Sequence, residues 1–301
     1  LQGIKNKLAT GATVQYEKGC GIRGTDSSGF PAAVALAMQS EVVLLAIGEE
    51  ALMTGESNSK STLQLTGVQN ELAKALVATG KPVIVILMNG RPLAINWIAD
   101  RAPALVESWF LGTETGNAIA DVLFGDYNPS GKLTITFPSA DGQIPVYYNH
   151  KNTGRPGDMQ QTSTSRHWDL PNAPLYPFGY GLSYTTFAYQ PPVVSGAFTL
   201  QQPLTVTVKV QNTGKRDGEE IVQLYVHDLV ASVTRPVQEL KGFKKIFLKA
   251  GESKEVQFTL PANELGFYGL DMKYTVEPGE FEIMTGGSSD HVQRIKVTLS
   301  K

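Results

Sequence analysis

Three glutamates, Glu49, Glu50 and Glu56, fall within the stretch Gly48-Glu49-Glu50-Ala51-Leu52-Met53-Thr54-Gly55-Glu56-Ser57, directly after the apolar run 42–47. Carboxyl groups perform general acid–base work when their surroundings hold the proton until it is needed. The run 42–47 reads as a buried parallel strand. In open α/β sheets ligands bind beyond the carboxyl ends of the strands, which is where these glutamates would lie. The plainer alternative is a solvated acidic loop, the usual fate of charge clusters.

Other chemistry-bearing residues are weaker signals. Arg91, in Met88-Asn89-Gly90-Arg91-Pro92, sits at another expected strand end. Pairing with a loop carboxylate is favoured over substrate contact, since arginines near carboxylates commonly serve structure. Trp109 and Phe110 follow a third expected strand, where a core or interface role is favoured over sugar stacking. Gly19-Cys20-Gly21-Ile22-Arg23-Gly24 fits G-x-G-x-x-G. A dinucleotide site would need a buried strand before it and a helix opening on the glycines. The expected strand at 12–17 is too polar and the helix can begin only near Phe30-Pro31, so a glycine-rich turn is the better reading. His150, His167, His227 and His291 share no local ligand spacing with one another or with Cys20, so no metal site is expected. There is no G-x-S-x-G elbow and no Walker sequence, and no cofactor is expected. Asp126-Tyr127-Asn128-Pro129-Ser130-Gly131-Lys132-Leu133 is accounted for by tight turns.

The elements that must position these residues divide the chain in two. In the first half, 42–47, 82–88 and 104–109 read as apolar strands, and 67–79 and 115–123 as helices, the second closed by Gly125. Near-continuous apolar strands alternating with helices argue a parallel sheet covered on both faces. Between about 140 and 190 no period holds, and Pro, Gly, Tyr and Asn are dense. This stretch ends in Tyr176-Pro177-Phe178-Gly179-Tyr180-Gly181-Leu182-Ser183-Tyr184, whose aromatics are expected to pin it to a neighbouring surface. Beyond 190 the period becomes two, at 204–210, 221–226, 254–260 and 281–285. Turn signals lie between them at Asn212-Thr213-Gly214, Lys249-Ala250-Gly251 and Glu277-Pro278-Gly279. An antiparallel sandwich of about seven strands is expected, fibronectin-like rather than immunoglobulin-like because this part has no cysteine.

The 301 residues are enough for about two domains. The net charge of −2 offers no basic field to nucleic acid or an anionic membrane. No apolar run approaches the roughly 20 residues needed to span a bilayer. With Cys20 as the single cysteine, no disulfide can form within the chain. The start Leu1-Gln2-Gly3-Ile4-Lys5 is neither a signal peptide nor an initiator methionine, so a fragment or processed piece is expected.

Several segments together resemble the C-terminal portion of family 3 glycoside hydrolases, in particular bacterial periplasmic β-glucosidases. They are Met88-Asn89-Gly90-Arg91-Pro92-Leu93, Trp109-Phe110-Leu111-Gly112-Thr113-Glu114, 116–133, Gln143-Ile144-Pro145-Val146-Tyr147-Tyr148, Asn152-Thr153-Gly154-Arg155-Pro156, 176–184, Val210-Gln211-Asn212-Thr213-Gly214 and Leu240-Lys241-Gly242-Phe243. The resemblance covers nearly the whole chain. It implies an α/β sandwich domain with a mostly parallel sheet at 1–140, an aromatic and Gly/Pro-rich linker at 141–190, and a fibronectin type III-like β-sandwich at 191–301. It also implies that the family's (β/α)8 barrel, and the first strand of the α/β domain, lie outside this sequence.

In that family a barrel aspartate is the nucleophile and a glutamate on a loop of the α/β domain is the general acid/base. The Thr54-Gly55-Glu56-Ser57 segment resembles that loop, which makes Glu56 the expected acid/base, with Met53 and Ser57 as candidate substrate contacts. Glu49 resembles a family position of less defined role, and Lys60 stands where relatives often carry arginine. The implied activity is retaining hydrolysis of terminal β-D-glucosyl residues, with this chain alone inactive for want of the nucleophile. The alternatives are a noncatalytic carbohydrate-binding or scaffolding fragment, or a related β-xylosidase or exo-glucanase. Implied partners are β-linked glucosides or oligosaccharides and the barrel of the same enzyme, with a homodimer compatible. The implied location is periplasmic or secreted.

Overall fold

A computed structural model describes all 301 residues. Two compact units emerge, and the chain passes between them more than once: residues 1–127 and 137–144 form the first, 128–136 and 145–301 the second.

The first unit holds helices α1 (Gln2–Lys7), α2 (Phe30–Gln39), α3 (Gln69–Val77), α4 (Asn96–Arg101) and α5 (Thr115–Phe124), with strands β1 (Val43–Gly48), β2 (Val83–Met88) and β3 (Ala104–Glu107). The strands form a parallel sheet in the order β1-β2-β3. Strand β2, Val-Ile-Val-Ile-Leu-Met, takes the centre, where β-branched side chains pack well on both faces. Helix α2 opens with Pro31 in its first turn, where no backbone donor is lost. Helix α3 buries Gln69, Leu72, Ala73 and Leu76 along one stripe. Helix α5 closes at Gly125, whose φ of 81° is the left-handed cap conformation. The expected third strand stops short at Glu107, because Trp109 turns the chain with a φ of 50°. The polar stretch 12–17 forms no strand; it carries too little apolar surface to join the sheet, which has three strands only.

The second unit is built on two four-stranded sheets. Strands β4 (Phe187–Tyr189), β5 (Val193–Ser195), β6 (Leu204–Asn212) and β9 (Ser253–Leu260) make one; β7 (Gly218–Asp228), β8 (Glu239–Leu248), β12 (Gly279–Gly286) and β13 (Val292–Leu299) make the other, in the order β13-β12-β7-β8. A short hairpin joins β10 (Phe267–Tyr268) to β11 (Tyr274–Thr275). The inward residues of alternating β6 and β9 meet those of β7 and β12 in one core that includes Val206, Val208, Val222, Leu224, Phe258 and Ile283. The chain is therefore an α/β domain with a parallel sheet followed by an antiparallel fibronectin-like sandwich.

Of the two sheets' strands, β4, β5, β8 and β13 fall outside the four runs that alternation places. Strand β8 shifts register opposite Leu224 and Tyr225, and Phe243 and Phe247 point outward, so its apolar residues do not mark the inner face. The aromatics of the linker do pin it: Tyr148 stacks on Phe178 at 4.3 Å and meets the fully buried Tyr225 of β7 edge-on at 5.7 Å.

Candidate active site

The register Gly48↔Met88 brings the carboxyl ends of β1 and β2 level. The two strands touch so closely there that a Cβ on Gly48 would lie 1.9 Å from the Met88 carbonyl oxygen, and its φ of 142° also favours glycine. Buried Gln69 completes this end, its Oε1 accepting from the Gly48 amide at 2.8 Å and its Nε2 donating to the Gly48 carbonyl at 2.9 Å. Gln69 also donates to the carbonyl of Ile22 at 3.3 Å, which ties the glycine-rich turn to the same place. Arg23 of that turn pairs with Glu50 at 2.5 Å. The turn is thus structural support for the loop after β1.

Beyond Gly48 the three glutamates separate completely in environment. Glu49 is buried, its side chain without solvent exposure, and it binds two cations: Lys60 Nζ lies 3.0 Å from Oε1 and Arg91 Nε 3.3 Å from Oε2. Burial of a carboxylate requires such pairing and hydrogen bonding. Glu50 is half-buried and Glu56 is exposed. Residues Ala51–Met53 make one 3-10 turn. Gly55, with φ 100°, and Ser57, with φ 63°, then reverse the chain. The Asn58 side chain bridges back to the Thr54 carbonyl at 3.2 Å. Arg91 reaches past Glu49 to donate to the carbonyls of Met53 and, at 2.9 Å, Asn58. Lys60 likewise donates to the Gln64 carbonyl at 2.9 Å.

The sites singled out from sequence thus come together in part. Met53 is half-buried, and its backbone carbonyl is engaged by Arg91; Glu56 and Ser57 are exposed at the loop's crest. The favoured pairing of Arg91 with a loop carboxylate is what the structure has. Trp109 packs on Phe137 with ring centroids 5.8 Å apart, consistent with a core role. No group of three or more His, Cys, Asp or Glu side chains is arranged to hold a metal ion. A shallow polar cavity of about 590 Å³ in the second unit, lined by Arg155, Asp158, Gln161, Ser163 and Thr164, contains none of these residues.

A further titratable group at this end of the sheet went unnoticed in sequence. Glu107 closes β3, its Oε1 accepting from the Trp109 amide at 2.9 Å. Its Oε2 and the neighbouring Asn89 Oδ1 are buried without partners. Burial pushes its carboxyl up to about 7, against the lowering effect of the Trp109 amide and the Asn89 side chain. A lone glutamate at a strand end carries no sequence signal that separates it from its neighbours.

Comparison with known proteins interprets the arrangement. Residues 1–184 match the glycosyl hydrolase family 3 C-terminal domain, and residues 220–289 the fibronectin type III-like domain. The chain belongs to glycosyl hydrolase family 3. A periplasmic beta-glucosidase of Salmonella typhimurium is 46% identical to this family 3 chain over 98% of its length, and a beta-xylosidase of Formosa agariphila is 44% identical over 99%. The chain spans 41% of the length of each of these relatives. Among solved structures, a beta-glucosidase from Listeria innocua in complex with glucose superposes with a TM-score of 0.90 at 40% identity, over 94% of this chain and 40% of that one. A β-glucosidase from Erythrobacter marinus gives 0.90 at 38% identity, over 99% of this chain and 43% of the other. No helix of the family 3 chain is long and apolar enough to cross a membrane.

Proposed function

We propose that this chain supplies the general acid/base, Glu56, of a retaining β-glucosidase whose aspartate nucleophile is carried by a (β/α)8 barrel outside this sequence. The observation that carries the reading is the exposed Glu56 on a loop fastened at the carboxyl end of the parallel sheet by buried Glu49 and Arg91. In the first step the nucleophile attacks the anomeric carbon while Glu56 gives its proton to the glycosidic oxygen, and the alcohol leaves. In the second step the Glu56 carboxylate takes a proton from water as that water attacks the glycosyl-enzyme, and the sugar leaves with its configuration retained. Such a pair of carboxyls must stand about 5–5.5 Å apart. Met53 and Ser57 flank Glu56 and are proposed to touch the sugar or its leaving group.

The division into an α/β domain to 140, a linker to 190 and a fibronectin-like domain beyond is proposed as the functional layout. The substrates proposed are β-linked glucosides or oligosaccharides, with the barrel as intramolecular partner, a homodimer as a compatible assembly, and the isolated chain inactive. The location proposed is periplasmic or secreted, which the name of the Salmonella relative supports at that level. The Formosa relative supports a second reading, β-xylosidase activity; hydrolysis of p-nitrophenyl xyloside faster than glucoside by the full-length protein would select it.

The test is Glu56→Gln in the full-length protein. Turnover of glucosides with poor leaving groups should fall by about 10²–10⁴, the range for general acid catalysis. Turnover of 2,4-dinitrophenyl glucoside, whose leaving group needs no proton, should fall far less. Equal losses on both would remove the acid/base assignment.

A further inference from the structure

We propose that Arg91, oriented by buried Glu49, is the positioning residue that holds the Glu56 loop in its working place. The proposal rests on the acid/base reading above for its catalytic consequence, though not for its structural half.

The argument is one of geometry. Residues 53 to 58 form an arch with Glu56 near its crest, and the two feet of that arch present the carbonyls of Met53 and Asn58. A single nitrogen of Arg91, Nη2, donates to both. The same guanidinium turns its Nε to Glu49 Oε2 at 3.3 Å. Glu49 has its other oxygen occupied by Lys60 at 3.0 Å and no solvent around it, so it cannot swing away without stranding a charge. The Arg91 side chain is itself only 18% exposed. Close packing adds to the hold: a Cβ on Gly90 would lie 2.7 Å from the Thr54 Oγ1, so the arch rests directly against the turn that carries Arg91. Apart from bonds inside the arch itself, the Met53 and Asn58 carbonyls have no partner other than this guanidinium to fix them relative to the sheet. Only a planar fork with several fixed donors can serve Glu49 and both carbonyls at once; a lysine ammonium at this position is a point charge on a flexible stem. Catalytic groups displaced by about 1 Å can lose on the order of 10²-fold in rate, so the arch needs such a clamp more than it needs regular secondary structure.

Two measurements on the full-length protein decide the proposal, with Arg91→Lys as the main variant and Glu49→Gln as the second. Hydrogen exchange followed by mass spectrometry reads the arch directly. Arg91→Lys should speed exchange of the hydrogen-bonded amides of Met53, Thr54 and Asn58 at least about tenfold while β1, β2 and β3 keep their protection. Glu49→Gln, which keeps a hydrogen-bond acceptor near Arg91 but removes the charge, should give the same pattern more weakly. Unchanged exchange in the arch would overturn the proposal whatever the kinetics show.

Kinetics then read the consequence. In Arg91→Lys, turnover of phenyl or alkyl glucosides should fall about 10- to 100-fold with KM little altered, and that of 2,4-dinitrophenyl glucoside less than about threefold. A uniform loss across leaving groups, with Glu56→Gln retaining its selectivity, would mean that Arg91 supports the fold and not the acid. If Glu56→Gln itself lacks that selectivity, the acid/base reading fails, and the exchange data still decide whether Arg91 holds the arch.

Discussion

Glu49 in the first unit and Glu220 in the second are both buried carboxylates that organise irregular backbone, and they do so to different ends. Glu49 binds two cations, Lys60 and Arg91, which both continue to carbonyls of a loop that stands in solvent. Glu220, on β7, binds Lys132 at 3.1 Å and accepts from the Tyr189 hydroxyl at 2.7 Å. Lys132 continues to the Gly181 carbonyl at 2.9 Å, and the Tyr189 hydroxyl is pushed far up by burial and by the adjacent carboxylate. Around Glu220 the groups held, Lys132, Tyr189 and Gly181, are half-buried and none presents a free acid. Around Glu49 the held segment lifts an unpaired acid into the open. The device is the same, and what makes one of them a candidate site is the exposed carboxyl on the segment being held. A third, largely buried carboxyl, Glu107, is paired with no cation, and burial raises it to about 7 instead.

These contrasts can be broken or sharpened by substitution. The largest effect is expected at Lys132, the cation paired with Glu220. Lys132→Met should cost about 3–5 kcal/mol, the usual result of stranding a buried charge, and pairing it with Glu220→Gln should recover most of the loss. Urea melts of the single and double variants check this; an additive double variant would show that the pair contributes nothing as a pair. Next is Glu107. Its folded-state value of about 7 lies above the ordinary 4.5, so its contribution to stability is complete below about pH 4.5 and is lost as pH rises through about 7. That window corresponds to about 3 kcal/mol. Glu107→Gln, a permanent stand-in for the neutral acid, should raise stability at pH 8 by up to that amount and leave it nearly unchanged at pH 4.5. A variant with the same pH slope as the wild type would refute it.

Lys60→Met should cost less than Lys132→Met, about 2 kcal/mol, because Arg91 still pairs with Glu49. If the two lysine variants proved equally damaging, the distinction between a doubly and a singly paired carboxylate would collapse. The smallest effect is at the cap of α5. Gly125→Ala should cost about 1–2 kcal/mol, the penalty of placing a Cβ at a φ of 81°, with no change in exchange at the Glu56 loop.

Much of the first unit was legible because its strands are apolar runs and its helices keep a stripe. Strands β1 and β2 and helices α3 and α5 come within a residue or two of where periodicity puts them, and the Arg91–carboxylate contact follows from two strand ends sharing one edge. Helix α4 was missed because its six residues, Asn-Trp-Ile-Ala-Asp-Arg, are too few to display a period. The second unit was legible where alternation is clean, as in β6 and β9, and opaque in β8, where a bulge interrupts it. The Lys132–Glu220 contact left no trace in the sequence. Nothing in the turn-rich segment Pro129-Ser130-Gly131-Lys132 announces that it will lie against a strand far along the chain, since pairing over such distances has no local pattern. The same holds for Glu107, whose character comes from what surrounds it and not from its neighbours in sequence.

The interleaving of the two units has a meaning for biogenesis. Residues 1–127 and 137–144 are all synthesised before any part of β7, so the first unit can close while the intervening 128–136 still belongs to a body that does not exist. Ser130 waits for Glu219 across 89 residues. At the usual 5–20 residues per second that is about 4–18 s of translation. During that interval the segment 128–136, with Lys132 as its one charged residue, waits for sandwich strands that are made long after it.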